Sequence, residues 1–218
     1  MEDVLLIDKP KGITSFDCIR ILRKELGIRK MGHAGTLDPL ASGLMIIGIN
    51  KGTKKLNEYL KLPKVYVATI LLGVSTDTGD MEGVVEDKQL IESDTFSDKQ
   101  IEEVVAEMKG VHSLFVPKYS AIKKEGKPLY KYAREGKEVE VPVRDMVVRD
   151  TKLLSIELPE IQAEFDVESG VYIRSLAEEL GRKLGVPATL SGLRRISIGD
   201  FSIQDAQKLP EQTPQTPR

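Results

Sequence analysis

The chain of 218 residues carries one cysteine, Cys18, and two histidines, His33 and His112. A single thiol cannot close an internal disulfide, which favours a reducing compartment, and the expected location is the cytoplasm. Two imidazoles and one thiol also fall short of the usual nitrogen and sulfur ligand set for zinc, so no metal site is expected. No apolar run reaches the length of a membrane span. The start, Met1-Glu2-Asp3 followed at once by Val4-Leu5-Leu6-Ile7, has no basic leader and no cleavage pattern, so no signal peptide is expected. Absent too are a Walker loop, a strand–GxGxxG–helix fingerprint, a GxSxG elbow and any internal repeat. These gaps exclude the commoner nucleotide-dependent and serine-hydrolase chemistries as readings of the motifs.

What is present is ordinary globular composition, 40% hydrophobic and 30% charged, enough for one sizeable core. The net charge of −2 points to no partner class, but its distribution is uneven. Residues 1–64 hold twelve Lys/Arg against seven Asp/Glu, and residues 117–152 hold ten against six. Residues 77–111 hold three against eleven. Such segregation allows a basic face for nucleic acid, the plain alternative being solvated surface.

Periodicity gives the elements. Val4–Asp8 reads as a strand, and Thr14 with Asp17 makes a capping box for a helix with Phe16, Ile19, Leu22 and Leu26 on one stripe, ended by Gly27. The stretch 32–43, GHAGTLDPLASG, is so dense in turn formers that it reads as a shaped loop throughout. Leu44–Ile49 is a buried strand, Lys51–Leu60 a short helix, and Lys64–Leu72 a strand in which Val65 and Val67 face the core and Tyr66 faces outward or into a cleft. Ser75–Gly83 is a turn returning through Val84–Glu86. Ser97 and Gln100 cap a helix to Met108, closed by Gly110. Residues 117–144 form a basic excursion, with a small helix at Pro128–Glu135 and a strand at Val139–Val143. A hairpin over Val147–Leu158 and Gln162–Val167, a helix over Ile173–Leu184 ended by Gly185, extended pieces at Ala188–Ile196 and Ser197–Phe201, and a last turn or two of helix in Ser202–Leu209 complete the chain. Pro210–Arg218 reads as a disordered tail. Strands in antiparallel-looking runs with helices between them define an α+β fold with a mixed, mainly antiparallel central sheet flanked by helices.

Four constellations carry candidate chemistry. Asp38, held before Pro39, is presented on a turn where a carboxylate can be aimed; a plain turn residue is the alternative. Arg174 lies in the first turn of the late helix, an unfavourable end for a cation, and so calls for a partner unless it points to water. Tyr66 offers a ring on which a base can stack, or is a half-buried strand tyrosine. Tyr119, Lys123, Lys124, Lys127, Tyr130, Lys131, Tyr132 and Arg134 interleave basic and aromatic side chains, as suits an RNA backbone with splayed bases or a solvated surface loop.

In order along the chain, KPKG at 9–12, GHAGTLDPLASG at 32–43, Lys64-Val65-Tyr66, Val116-Pro117-Lys118-Tyr119-Ser120-Ala121 with Lys127-Pro128-Leu129-Tyr130, Gly170-Val171-Tyr172-Ile173-Arg174 and Leu193-Arg194-Arg195 resemble the TruB family of tRNA pseudouridine synthases, over about residues 4–209. The resemblance implies the pseudouridine synthase fold, with residues 1–209 as one catalytic domain and 117–144 as a thumb-like insertion. It implies an isomerase that flips uridine 55 of the tRNA T arm, breaks the glycosidic bond and rejoins the uracil through carbon 5, without cofactor, metal or energy source. By the same resemblance Asp38 is the essential carboxylate and Arg174 its partner. Tyr66 stacks on the base, Tyr172 and Leu193 line the pocket, and His33 sits near the flipped nucleotides. Lys9, Tyr119, Lys123, Lys127, Tyr130, Arg134 and Arg194 are the expected RNA contacts. Many members continue into a C-terminal RNA-binding PUA domain; here none is expected, and the protein is expected to be monomeric. A noncatalytic RNA-binding module on the same scaffold is the competing reading. A glycosidase-type hydrolase wants a second facing carboxylate, and none stands out.

Overall fold

The structure, a computed structural model, describes residues 3–210. Along the chain run β1 (Val4–Lys9), α1 (Ser15–Leu26), β2 (Met31–Ala34), β3 (Ala41–Ile49), a 3-10 turn (Asn50–Lys55) and α2 (Leu56–Leu60). Then come β4 (Lys64–Leu72), β5 (Val74–Thr76), β6 (Val85–Lys88), α3 (Asp98–Glu107) and β7 (Gly110–Phe115). The basic excursion holds β8 (Lys123–Lys124), β9 (Lys127–Pro128) and α4 (Leu129–Arg134). Last come β10 (Val143–Glu157), β11 (Glu160–Val167), α5 (Ile173–Leu184), β12 (Ala188–Ile198), β13 (Phe201–Ser202), a 3-10 turn (Ile203–Asp205) and β14 (Gln207–Lys208). The fold is α+β with a large mixed sheet, as the strand pattern implied. Its pairings are mainly antiparallel, with β14 running parallel to β1.

Two compact units share the described residues, one of residues 3–66 and 194–210, the other of residues 67–193. In the first, β3 pairs antiparallel with β1 from Val4↔Gly48 to Lys9↔Gly43 and with β2 from Met31↔Ile49 to Ala34↔Ile46. All nine residues of β3 are buried, so both of its faces are covered and it reads as an unbroken apolar run. Ala34, Leu44, Ile46 and Ile198 form a core on which Leu6, Leu56, Tyr59 and Phe201 pack. Each buried leucine or isoleucine contributes roughly 1.5–3 kcal/mol. Helix α1 starts at a complete Thr14/Asp17 capping box and stops at Gly27 in the left-handed region. Its buried side is Ser15, Cys18, Ile19 and Leu22, whereas Phe16 and Leu26 are exposed. The apolar stripe is therefore narrower than the spacing implied, and the Phe16 ring lies under the Arg23 guanidinium instead.

In the second unit β10 pairs antiparallel with β7 and β11, and β5 pairs with β6. Helix α3 has the expected Ser97/Gln100 capping box and buries Ile101 and Val105. It ends at Glu107 with Met108 as its cap, while Gly110 opens β7 rather than closing the helix. Thr151 of β10 donates to the Val105 carbonyl at 2.9 Å, fastening α3 to the sheet. Helix α5 matches the expected limits, Ile173–Leu184 with Gly185 as its left-handed cap.

Four expectations need correction. The glycine-rich stretch 32–43 is not a loop throughout: residues 32–34 lie in β2 and 41–43 in β3, leaving 35–40 as the turn. Gly43 is there for close approach, since a Cβ on it would sit 2.2 Å from the Arg195 carbonyl oxygen. Residues 139–142 are not strand; Val139 and Val141 pack onto a buried cluster, and β10 begins only at Val143. The two pieces expected at 188–201 are mostly one strand, β12. The last helix is only a 3-10 turn capped by Ser202, followed by a short strand, because Ala206 is already extended. The tail expected at 210–218 lies, but for Pro210, outside the described residues. No helix of the described residues is long and apolar enough to cross a membrane.

Candidate active site

Asp38 occupies the six-residue connection between β2 and β3. Its carbonyl accepts from the Ala41 amide at 3.0 Å, closing a turn with Pro39 at the second position, where a fixed φ is favourable. Leu37, only 3% exposed, anchors the turn in the core while Asp38 itself stays half-buried. Backbone carbonyls through the turn are held one after another. Arg195 Nη2 donates to Gly35 at 3.2 Å, Ser15 Oγ to Leu37 at 2.9 Å, and the Gly12 amide to Pro39 at 2.9 Å. Lys9 Nζ donates to the Ala41 carbonyl at 2.6 Å and to Pro10 at 2.9 Å. Gly35 takes φ +85°, a conformation that favours glycine.

Lys9, expected among the RNA contacts, is fully buried. Its ammonium donates to those two carbonyls, so the KPKG segment supports the Asp38 turn and offers no exposed Lys9 charge to phosphate. Arg194 is partly exposed and clamps Asp8 through both carboxylate oxygens, at 2.7 and 3.1 Å, and reaches Ser42 Oγ at 3.3 Å. His33 is half-buried, and its Nδ1 is buried without a hydrogen-bond partner. Burial first, and the nearby Arg195 charge second, push the imidazole below its ordinary value and favour the neutral ring.

Tyr66 lies on the other side of β4 from the one expected. Lys64, Tyr66, Ala68, Ile70 and Leu72 form the buried face, with Tyr66 8% exposed. Val65 and Val67 are half-buried, so both faces of the strand are covered, and alternation alone could not assign the ring. Over the Tyr66 ring, 6.0 Å from its centroid, sits the Arg195 guanidinium.

Arg195 was not among the expected site residues. It is 1% exposed, and its Nε donates to the Leu44 carbonyl at 2.7 Å while Nη2 reaches Gly35. It thereby joins the turn of Asp38, the aromatic ring of Tyr66 and the neighbourhood of His33. One signal was available: consecutive residues of a strand face opposite sides, so Arg194 and Arg195 in a covered strand cannot both reach solvent.

In the second unit Arg174 does not point to water. It is 6% exposed and donates to the Thr78 carbonyl at 2.8 Å and the Tyr119 carbonyl at 3.0 Å. Asp80 lies 3.9 Å away and is oriented by Thr78 Oγ1 at 2.7 Å. Burial raises the Glu178 carboxyl on the same helix, and the Arg174 charge opposes that rise. Tyr172 precedes α5 and packs on the Val116, Leu129 and Met146 cluster, which also receives Ile122 and Val141. Leu193 is half-buried on β12.

The basic excursion is anchored by Leu129, buried against Val116 and Met146, and carries its charged side chains outside that cluster. Lys123 and Arg134 are exposed, while Tyr119 and Tyr130 are half-buried. Lys127 is engaged with Glu135 at 2.6 Å and lies 4.5 Å from the Tyr132 ring centroid; Arg134 stacks 5.5 Å from Tyr130. Among the described residues no three His, Cys, Asp or Glu side chains gather as a metal-holding group.

A carboxylate on a braced turn, in an α+β chain with a basic and aromatic excursion, fits the pseudouridylate synthases. The chain belongs to the TruB family: residues 23–173 match the TruB family pseudouridylate synthase (N terminal domain). It is 42% identical over 204 residues to tRNA pseudouridine synthase B of Fusobacterium nucleatum subsp. nucleatum, covering 94% of this chain and 70% of that one. It is 41% identical over 213 residues to tRNA pseudouridine synthase B of Aquifex aeolicus, covering 97% and 73%. Among solved structures it resembles a chain of a Cbf5-Nop10-Gar1 complex with TM-score 0.72 at 29% identity, over 94% of this chain and 52% of that one. A chain of an H/ACA RNP bound to a substrate RNA containing 2′-deoxyuridine gives TM-score 0.70 at 27% identity, over 94% and 50%. The chain thus spans about half the length of the solved chains it matches.

Proposed function

We propose that the protein isomerises uridine 55 in the T arm of tRNA to pseudouridine, acting as a monomer in the cytoplasm. The observation that carries this reading is Asp38 at the tip of a turn whose carbonyls are held from Gly35 to Ala41, within a chain of the TruB family. The reaction balances within the substrate: the bond from ribose C1′ to uracil N1 breaks, the ring turns, C1′ bonds to C5, C5 loses its proton and N1 gains one. No oxidant or cosubstrate is consumed.

In this reading the Asp38 carboxylate drives cleavage of the glycosidic bond. Arg174 is its counter-charge, offering a planar fork that a lysine cannot reproduce. The target base leaves its stack at a cost of a few kcal/mol. Stacking on Tyr66 returns roughly 1–3 kcal/mol. Tyr172 and Leu193 enclose the base, and retention of the detached uracil makes rejoining effectively intramolecular. Lys123, Lys127, Tyr130 and Arg134 of the excursion, with Tyr119 at its root, meet the RNA backbone and bases.

The test uses a tRNA transcript tritiated at uracil C5, because pseudouridine formation releases that hydrogen. Asp38→Asn abolishes release, by about 1,000-fold or more, while the Kd for tRNA stays within about threefold. Release at the wild-type rate removes Asp38 from the chemistry. Free uracil among the products would instead identify a hydrolase.

A further inference from the structure

Ser15 does more than open a helix. Thr14 already fills the N-cap, accepting from the Asp17 amide at 3.1 Å, so α1 does not need the Ser15 hydroxyl. That hydroxyl, on a residue 2% exposed, instead turns to a partner 22 positions along the chain. It donates to the Leu37 carbonyl at 2.9 Å and accepts from the Leu37 amide at 2.8 Å. Both peptide groups of the residue before Asp38 are thereby fixed by one oxygen. Two residues further upstream, the buried Arg195 holds the Gly35 carbonyl, and it ties that point to β3 through Leu44. Burying a cation to satisfy neutral carbonyls is an expensive way to brace a sheet, since an apolar side chain packs there without losing hydration. The arrangement makes sense if what matters is where the turn points.

We propose that Ser15 and Arg195 are positioning residues for the reaction: together they set the peptide planes leading into Asp38, so that its carboxylate is preorganised at the reacting bond. This rests on Asp38 being the reacting carboxylate. A displacement on the scale of 1 Å at such a group costs up to about 100-fold in rate. Neither residue needs to touch RNA, so their loss falls on kcat and leaves binding intact.

The experiment compares the full chain with Ser15→Ala, Arg195→Lys and Asp38→Asn. It measures tritium release at saturating and limiting tRNA, tRNA Kd, and hydrogen exchange at the Leu37 amide, all at about 15 °C below each variant's own melting midpoint. Ser15→Ala is expected to lower kcat about 10-fold or more, with KM and Kd within about twofold, and to speed Leu37 exchange about 10-fold or more. Arg195→Lys keeps the charge but not the fork and is expected to lower kcat in the same way, KM being unchanged. Faster Leu37 exchange with kcat within about twofold of wild type overturns the proposal, as does unchanged exchange. If Ser15→Ala does not fold, Arg195→Lys decides: full kcat overturns the proposal and reduced kcat at unchanged KM supports it. Activity retained by Asp38→Asn would sink the underlying reading, a different outcome from an inert Asp38→Asn beside a fully active Ser15→Ala.

Discussion

The turn at residues 35–40 and the excursion at 117–144 both belong to the expected catalytic apparatus, yet they are built on opposite terms. In the turn every bracing group is buried or backbone: Lys9, Ser15 and Arg195 are each no more than 2% exposed. In the outer part of the excursion charged side chains pair at the surface, as Lys124 does with Glu140 at 3.2 Å. Exposed pairs of this kind contribute about 0–1 kcal/mol each, whereas a hydrogen bond to a charged group contributes about 1.5–3 kcal/mol. On the proposed function, the carboxylate that meets one atom sits on the rigid support, and the side chains that meet a flexible polyanion sit on the adjustable one.

The sharpest attempt to break this contrast is at Arg174, the buried cation that fastens the excursion's root. Arg174→Met strands the Thr78 and Tyr119 carbonyls and is expected to destabilise the protein by about 3–5 kcal/mol in denaturant titration. Arg174→Lys retains the charge and is expected to lose about 100-fold in turnover with little change in tRNA Kd. Near-normal turnover would contradict its proposed role as counter-charge. Next comes Tyr66→Leu, expected to cost roughly 10–100-fold in kcat/KM as the stacking platform goes. Its folding penalty should stay below about 2 kcal/mol; equal losses in rate and stability would identify a packing residue only. On the adjustable side, Lys123→Ala with Arg134→Ala is expected to weaken tRNA binding severalfold and to reduce the slope of log K against log salt by about one for each phosphate that is no longer neutralised. Stability should hold within about 0.5 kcal/mol. A large drop in stability would show that the excursion is structural.

The smallest expected effect is on pH. His33 has a folded-state value below the usual 6.5. Below that pH the unfolded chain takes a proton that the folded chain resists, so stability falls as pH drops through about 6.5 and His33 contributes no slope well above it. His33→Gln is expected to flatten that part of the stability profile in thermal melts from pH 5 to 8.

Features set by near neighbours were legible in the sequence. Both capping boxes and the full extent of α5 were readable because their signals lie within a few residues of one another. The Asp38 turn was found, though drawn too long, because glycine serves close strand packing as readily as it serves turns. Tyr66 was assigned to the wrong face because β4 is covered on both sides. Of the brace only one part was legible, that one of Arg194 and Arg195 in a covered strand turns inward; its partners were not. Ser15 and Arg195 act on Leu37 and Gly35 across separations of 22 and 160 residues, and no window of sequence contains both ends. Arg174 was recognised as needing partners, but that these include the Tyr119 carbonyl follows only from the folded chain.

The neck of the excursion has a further consequence. The Val116 amide donates to the Pro142 carbonyl at 3.0 Å, and one step back toward the sheet Phe115 is in register with Val143. The sheet is therefore stitched shut before the excursion begins. Since the entropy of closing a loop grows only slowly with its length, residues added or removed near the Glu125–Gly126 tip leave the β7–β10 pairing as it is. The length of the excursion, and with it the reach of the RNA contacts proposed for it, is adjustable there without disturbing the sheet.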